Sequence, residues 1–182
     1  MNKRARQYIG ILCAVAIYYI IHEGAHLVYA LAAGIFKQIN FLGFGIQIDI
    51  FAERADEMQL GLFCLAGPLA TLAAACLLVL LINRIGSVTS KGFKACMYYT
   101  TIALLVIDPL YLSVLCGFFG GGDMNGIALL VPETAARIIF GILFLVNAAV
   151  FAKFVLPGYR KAFQPQQESQ KSIDNGLAGD VY

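Results

Sequence analysis

Long apolar runs separated by short polar stretches organise the chain. Residues 8–36 are apolar apart from His22, Glu23 and His26. Residues 60–82 carry no side chain that is charged near neutrality, and residues 95–119 carry one acid, Asp108. Residues 135–156 carry only Arg137 and Lys153, each close to an end where a long side chain can snorkel to the interface. Every run reaches the ~20 residues that a helix needs to cross ~30 Å of hydrocarbon. The pattern predicts an all-α integral membrane fold of about four transmembrane helices, in one domain over residues 1–163.

Between the first and second spans the period changes. Ile39 and Phe41 alternate with Gln38 and Asn40, and Ile46, Ile48 and Ile50 alternate with Gln47 and Asp49, on either side of Gly43-Phe44-Gly45. A period of two around a glycine-containing turn predicts a short, membrane-associated β-hairpin. Residues 117–133 read as a glycine-rich loop that carries Asp123. Residues 164–182, rich in Gln, Ser, Asp and Gly, read as a disordered C-terminal tail.

Composition sharpens this picture. Of 182 residues, 60% are hydrophobic and 13% charged, about half the charged share of a soluble domain. That argues against a soluble globular protein and excludes a disordered one. A net charge of +2, with no basic run inside the chain, argues against a nucleic-acid partner. Five cysteines stand singly in apolar runs, an odd number with no CxxC pair, and read as small packing residues.

Charge also orients the spans. Lys3, Arg4, Arg6, Arg84, Lys91, Lys94, Lys153, Arg160, Lys161 and Lys171 fall on one side, against Lys37, Arg54 and Arg137 on the other. The excess predicts that both termini are cytoplasmic. Lys3-Arg4-Ala5-Arg6 and Ala30-Leu31-Ala32 imitate the ends of a cleavable signal peptide. The apolar character continues through Phe36, so the first span is expected to be retained.

The only two histidines stand four apart, in His22-Glu23-Gly24-Ala25-His26. On a helix, positions i and i+4 share a face, so both imidazoles can reach one metal ion. Glu23 is rotated away from that face, toward a metal-bound water. Ionisable groups inside a span are costly and mark function by default. Two imidazoles, a carboxylate and a water make a catalytic zinc site, so Zn2+ is the expected cofactor. Two acids compete for the third ligand. Asp123 lies in Gly120-Gly121-Gly122-Asp123-Met124-Asn125-Gly126, where glycine permits close backbone approach. Asp108 precedes Pro109 in mid-span, where the helix should kink and leave a carbonyl unpaired. It can serve as an alternative ligand or as the group that orients a histidine.

With His22-Glu23-Gly24-Ala25-His26 on the first span, Gly67-Pro68 in the second and an Asp-containing glycine motif far downstream, the chain resembles the site-2 protease family of intramembrane zinc metalloproteases. The resemblance covers roughly residues 8–131. It implies zinc held by His22, His26 and Asp123, with Glu23 as the catalytic base. Thr71 stands where family members commonly have Asn, and the third motif lacks a nearby proline, as in a minimal or divergent member. The implied activity is endopeptidase cleavage of a transmembrane protein substrate. Thr71 and Asn125 are the expected substrate-binding positions, and Ile46, Ile48 and Ile50 offer a strand edge to an unwound substrate. The alternative is a catalytically silent relative acting as a metal-binding or partner-binding subunit. The expected location is the lipid bilayer of a bacterial inner membrane, as a multi-pass protein.

Overall fold

The structure is a computed structural model that describes residues 2–42 and 45–164. Four of its helices are long and apolar enough to cross a membrane. The first, α1 (Lys3–Ala32), begins at Asn2, whose side chain accepts from the Ala5 N–H at 2.7 Å. A hairpin follows, β1 (Phe36–Leu42) and β2 (Gly45–Ile50), then a single 3-10 turn at Ala52–Arg54. The second long helix, α2 (Glu57–Leu80), leads through the short α3 (Ile82–Ser87) to the third, α4 (Lys91–Ser113). After a 3-10 turn at Leu115–Gly117 comes α5 (Asp123–Leu130), then α6 (Glu133–Val150). That helix runs on through a π-helical turn, Phe151–Val155, into α7 (Leu156–Phe163).

The four apolar runs all became helices with different ends: polar caps start α2 and α4 earlier, whereas the first run leaves the helix at Ala32, with Phe36 already in β1, and the third leaves it at Ser113. Asp56 and Gln59 form a reciprocal capping box, so α2 starts at Glu57 ahead of the apolar run. Ser90 accepts from the Phe93 N–H and starts α4 at Lys91. Residues 117–133 are a correction: they are not wholly loop, since Asp123–Leu130 is helical. The expected disordered tail lies outside the described residues except for Gln164, as do the hairpin residues Gly43 and Phe44.

Helix α4 is the central element and packs against α1, α2 and α6. More of its apolar length is buried than of that of α1. Pro109 lies within it, and the carbonyl of Leu105, four residues earlier, therefore has no helical N–H to accept from. Asn147 of α6 supplies one instead, its side-chain amide donating to that carbonyl at 2.8 Å. Arg137 likewise reaches the end of α4, donating from Nε to the Ser113 carbonyl at 3.1 Å. The outer faces of α1 and α6 present Leu12, Ile20, Val28, Ile138, Ile142 and Leu145. An apolar belt of this kind suits hydrocarbon and is disfavoured in water.

The hairpin is antiparallel, with Ile39 opposite Ile48, Asn40 opposite Gln47 and Phe41 opposite Ile46. Its register shifts near Lys37, between Phe36 and Gln38. The Phe51 N–H donates to the Ile35 carbonyl at 2.8 Å and closes its base. Ile48 points into a small core with Ala30, Ile35 and Phe63, which fixes the hairpin against α1 and α2.

Candidate metal centre

Four separate segments build the site. The face of α1 that carries His22 and His26 is buried, 8% and 3% exposed, against α2 at Gly67-Pro68. A Cβ placed on Gly67 would stand 2.6 Å from Nε2 of His26 and 2.8 Å from Nε2 of His22. Only glycine leaves room for both imidazoles at this crossing.

Each ring is held by its Nδ1. His26 Nδ1 donates to the Phe63 carbonyl at 2.7 Å, one turn before Pro68 interrupts the α2 ladder. His22 Nδ1 faces the Asp108 carboxylate, 3.3 Å from one oxygen and 3.4 Å from the other. Asp108 is 3% exposed and also receives the Tyr18 hydroxyl, while the Thr71 hydroxyl sits between it and the Pro68 carbonyl. With both Nδ1 atoms engaged by acceptors, the protons are placed there and both Nε2 lone pairs are free.

Those lone pairs converge. The two Nε2 atoms are 3.1 Å apart, and Asp123 Oδ2 is 3.1 Å from His22 Nε2 and 3.6 Å from His26 Nε2. Three electron-pair donors this close repel unless a proton or a metal ion lies among them. A tetrahedral ion with bonds of about 2.0 Å needs ligand–ligand edges of about 3.3 Å. The observed edges bracket that length. Two imidazoles and one carboxylate with a fourth position left over match the donor set of catalytic zinc sites.

The glycine run delivers Asp123. Gly120, Gly121 and Gly122 all have positive φ, 84°, 86° and 51°, a path that residues with a side chain rarely follow. This turn sets Asp123 as the first residue of α5, against the imidazoles. Gly126 then lets α5 lie on α2, where an added Cβ would stand 2.4 Å from Cys64 Sγ. Asp108 and Asp123 thus meet opposite sides of His22. Asp123 belongs to the Nε2 cluster; Asp108 lies on the Nδ1 side and is outside the group of atoms that could share an ion.

Glu23 lines a cleft of about 500 Å³ together with His22, Asp123, Tyr18, Tyr19 and Tyr111. Strand β2 packs against α1, the helix that carries Glu23. The remaining sequence candidates are used in different ways. Thr71 is fully buried and supports Asp108. Asn125 is exposed, and its amide donates to the Gly120 carbonyl at 3.2 Å, bracing the glycine turn. The Ile48 side chain belongs to the core, Ile50 packs beside it, and Ile46 is exposed. Any part these isoleucines play in holding an extended chain therefore rests on the backbone of β2 more than on side-chain pockets.

Tyr18 was missed from the sequence, and Gly67 was noted there only within the Gly67-Pro68 motif, with no role at the site. Tyr18 stacks on His22 at 5.4 Å between ring centroids, and the spacing Tyr18, His22, His26 was legible as one helical stripe. The contact of Gly67 with the imidazoles had no such signal, because they come from another helix. No protein-family model, curated protein or solved structure matches the chain.

Proposed function

We propose that the chain is a zinc-dependent intramembrane endopeptidase that hydrolyses peptide bonds of membrane-spanning protein substrates, as its resemblance to the site-2 protease family implies. The observation that carries this reading is the convergence of His22, His26 and Asp123 beside Glu23, in a cleft among apolar helices. When bound, zinc supplies Lewis-acid chemistry and lowers the pKa of its water to about 7. His22 and His26 hold the ion through Nε2, and Asp123 contributes an oxygen. Asp108 and the Phe63 carbonyl keep the two rings in the required tautomer and orientation. Glu23 takes the proton released as water attacks the scissile carbonyl and passes it to the leaving amine.

A substrate must be extended there, because helical backbone keeps its carbonyls hydrogen-bonded. The outer edge of β2, along Ile46, Ile48 and Ile50, offers an unwound segment a strand to pair with. The cleft lined by Tyr18, Tyr19 and Tyr111 admits the water that hydrolysis consumes. The Lys/Arg asymmetry supports a multi-pass protein with its basic ends cytoplasmic.

The test is to co-reconstitute the zinc-loaded protein in liposomes with a panel of single-span polypeptides and map new peptide termini by mass spectrometry. Wild type should cut within or beside a span, and Glu23→Gln should bind zinc equally and cut nothing. Cleavage by the Glu23→Gln protein would remove Glu23 as the base. A zinc-loaded wild type that cuts nothing in the panel would favour the silent metal-binding or partner-binding subunit.

A further inference from the structure

A larger cavity, about 660 Å³, opens between the start of α1, the start of α4 and α7. Along α1 it lies about 24 Å from His22, counting 16 residues from Arg6 at about 1.5 Å each, so it is separate from the metal centre. Lys3, Arg6, Lys91 and Arg160 stand around it. Among the described residues no acid pairs with any of them. The described acids (Glu23, Asp49, Glu53, Asp56, Glu57, Asp108, Asp123 and Glu133) lie in the metal centre or at the opposite ends of the spans. Lys94, by contrast, is spent on the fold, donating from Nζ to the Ala162 carbonyl at 2.7 Å.

The floor of the cavity is aromatic. Tyr98 and Tyr159 meet edge to face with centroids 5.1 Å apart. Tyr159 is 2% exposed, and its hydroxyl has no hydrogen-bond partner among the described residues. The nearby Thr101 hydroxyl gives its proton to the Met97 carbonyl. One turn on from Gln7, on the same stripe of α1, Ile11 is exposed.

Cations around an aromatic floor, beside a surface suited to acyl chains, match a phosphate ester carried by a lipid. Clusters of Lys and Arg at the cytoplasmic ends of spans attract anionic headgroups. We infer that this cavity binds the phosphate headgroup of an anionic phospholipid, with its acyl chains laid along α1.

Full-length protein, purified in a neutral detergent, can be titrated with short-chain phosphatidylglycerol, short-chain phosphatidylcholine or inorganic phosphate while the unfolding midpoint is followed. A ligand that binds only the native state raises the midpoint saturably. Phosphatidylglycerol should do so and phosphatidylcholine should not. The variant Arg6→Gln/Lys91→Gln/Arg160→Gln should need about ten-fold more phosphatidylglycerol, or worse, for half the effect. Lys37→Gln/Arg54→Gln, at the other end of the spans, should respond as wild type does. Equal responses to the two lipids overturn the inference, as does an unchanged response in the triple variant. Inorganic phosphate acting as strongly as the lipid overturns the lipid source. The comparison of lipids on wild type decides the matter even if the triple variant fails to fold.

Discussion

Gly67→Ala isolates the geometry of the proposed metal centre from its chemistry, because it removes no candidate ligand and no charge. The new Cβ would stand 2.6 Å from His26 Nε2 and 2.8 Å from both Nε2 and Cε1 of His22. Contacts of this kind settle near 3.5 Å, so each ring must retreat by about 0.7 Å or more. Neither ring can swing aside freely, since His26 Nδ1 is tied to the Phe63 carbonyl and His22 Nδ1 to Asp108. Metal–ligand distances tolerate about 0.2 Å. The displacement exceeds that several-fold, and zinc affinity should fall by at least the roughly 10–100-fold seen when an orienting partner is lost. Helix α2 itself should not suffer, as alanine is favoured over glycine in a helix interior by about 1 kcal/mol. The assay is competition with a chromophoric chelator, alongside thermal unfolding of the metal-free protein to confirm the fold. Gly24→Ala is the matched control, with nothing within 4 Å of its added Cβ although it lies inside the histidine motif. A Gly67→Ala protein that keeps wild-type zinc affinity would show that the imidazoles do not lie against α2, and the site as described would be wrong.

Asp108→Asn should weaken zinc binding about ten-fold without abolishing it, because it loosens His22 while leaving all three ligands in place; wild-type affinity by chelator competition would deny Asp108 that role. Asp123→Asn, by contrast, should lose far more, and equal losses in the two variants would contradict the assignment of Asp123 to the ligand side of His22. Asn147→Leu should leave the Leu105 carbonyl without a donor beside Pro109 and cost about 1–3 kcal/mol in denaturant unfolding from detergent micelles. The same variant should leave zinc affinity unchanged, and a fall in affinity with no loss of stability would refute the structural role. Gly121→Ala forces a side chain into a φ of 86° and against Asn125, so zinc occupancy should drop through displacement of Asp123; full occupancy by elemental analysis would show the turn to be more tolerant than its geometry implies.

Much of the architecture was readable one segment at a time. The four apolar runs predict four helices, and the change of period at Ile46, Ile48 and Ile50 predicts the hairpin, because both signals come from neighbours along the chain. The pairing of His22 with His26 is of the same kind, a consequence of 3.6 residues per turn. Helix ends were read less well, since the Asp56–Gln59 and Ser90 caps are polar and fall outside an apolar count. The helix at Asp123–Leu130 was hidden by the glycines before it, which read as loop although they form only its approach.

The amino-acid order by itself settled the helices, the strand pair and the shared face of the two imidazoles, all of which depend on spacings of a few residues. Asp123 was the favoured third ligand at that level and Asp108 the alternative, each an acid in apolar or glycine-rich surroundings. Packing separated them. Burial of α4 against α1 carries Asp108 to Nδ1 of His22, and the glycine turn carries Asp123 to Nε2, from 86 and 101 residues away. The need for glycine at position 67 and for Asn147 opposite Pro109 arises in the same way. Each is a demand made by a neighbouring helix, and a contact between distant segments exists only once the helices have packed.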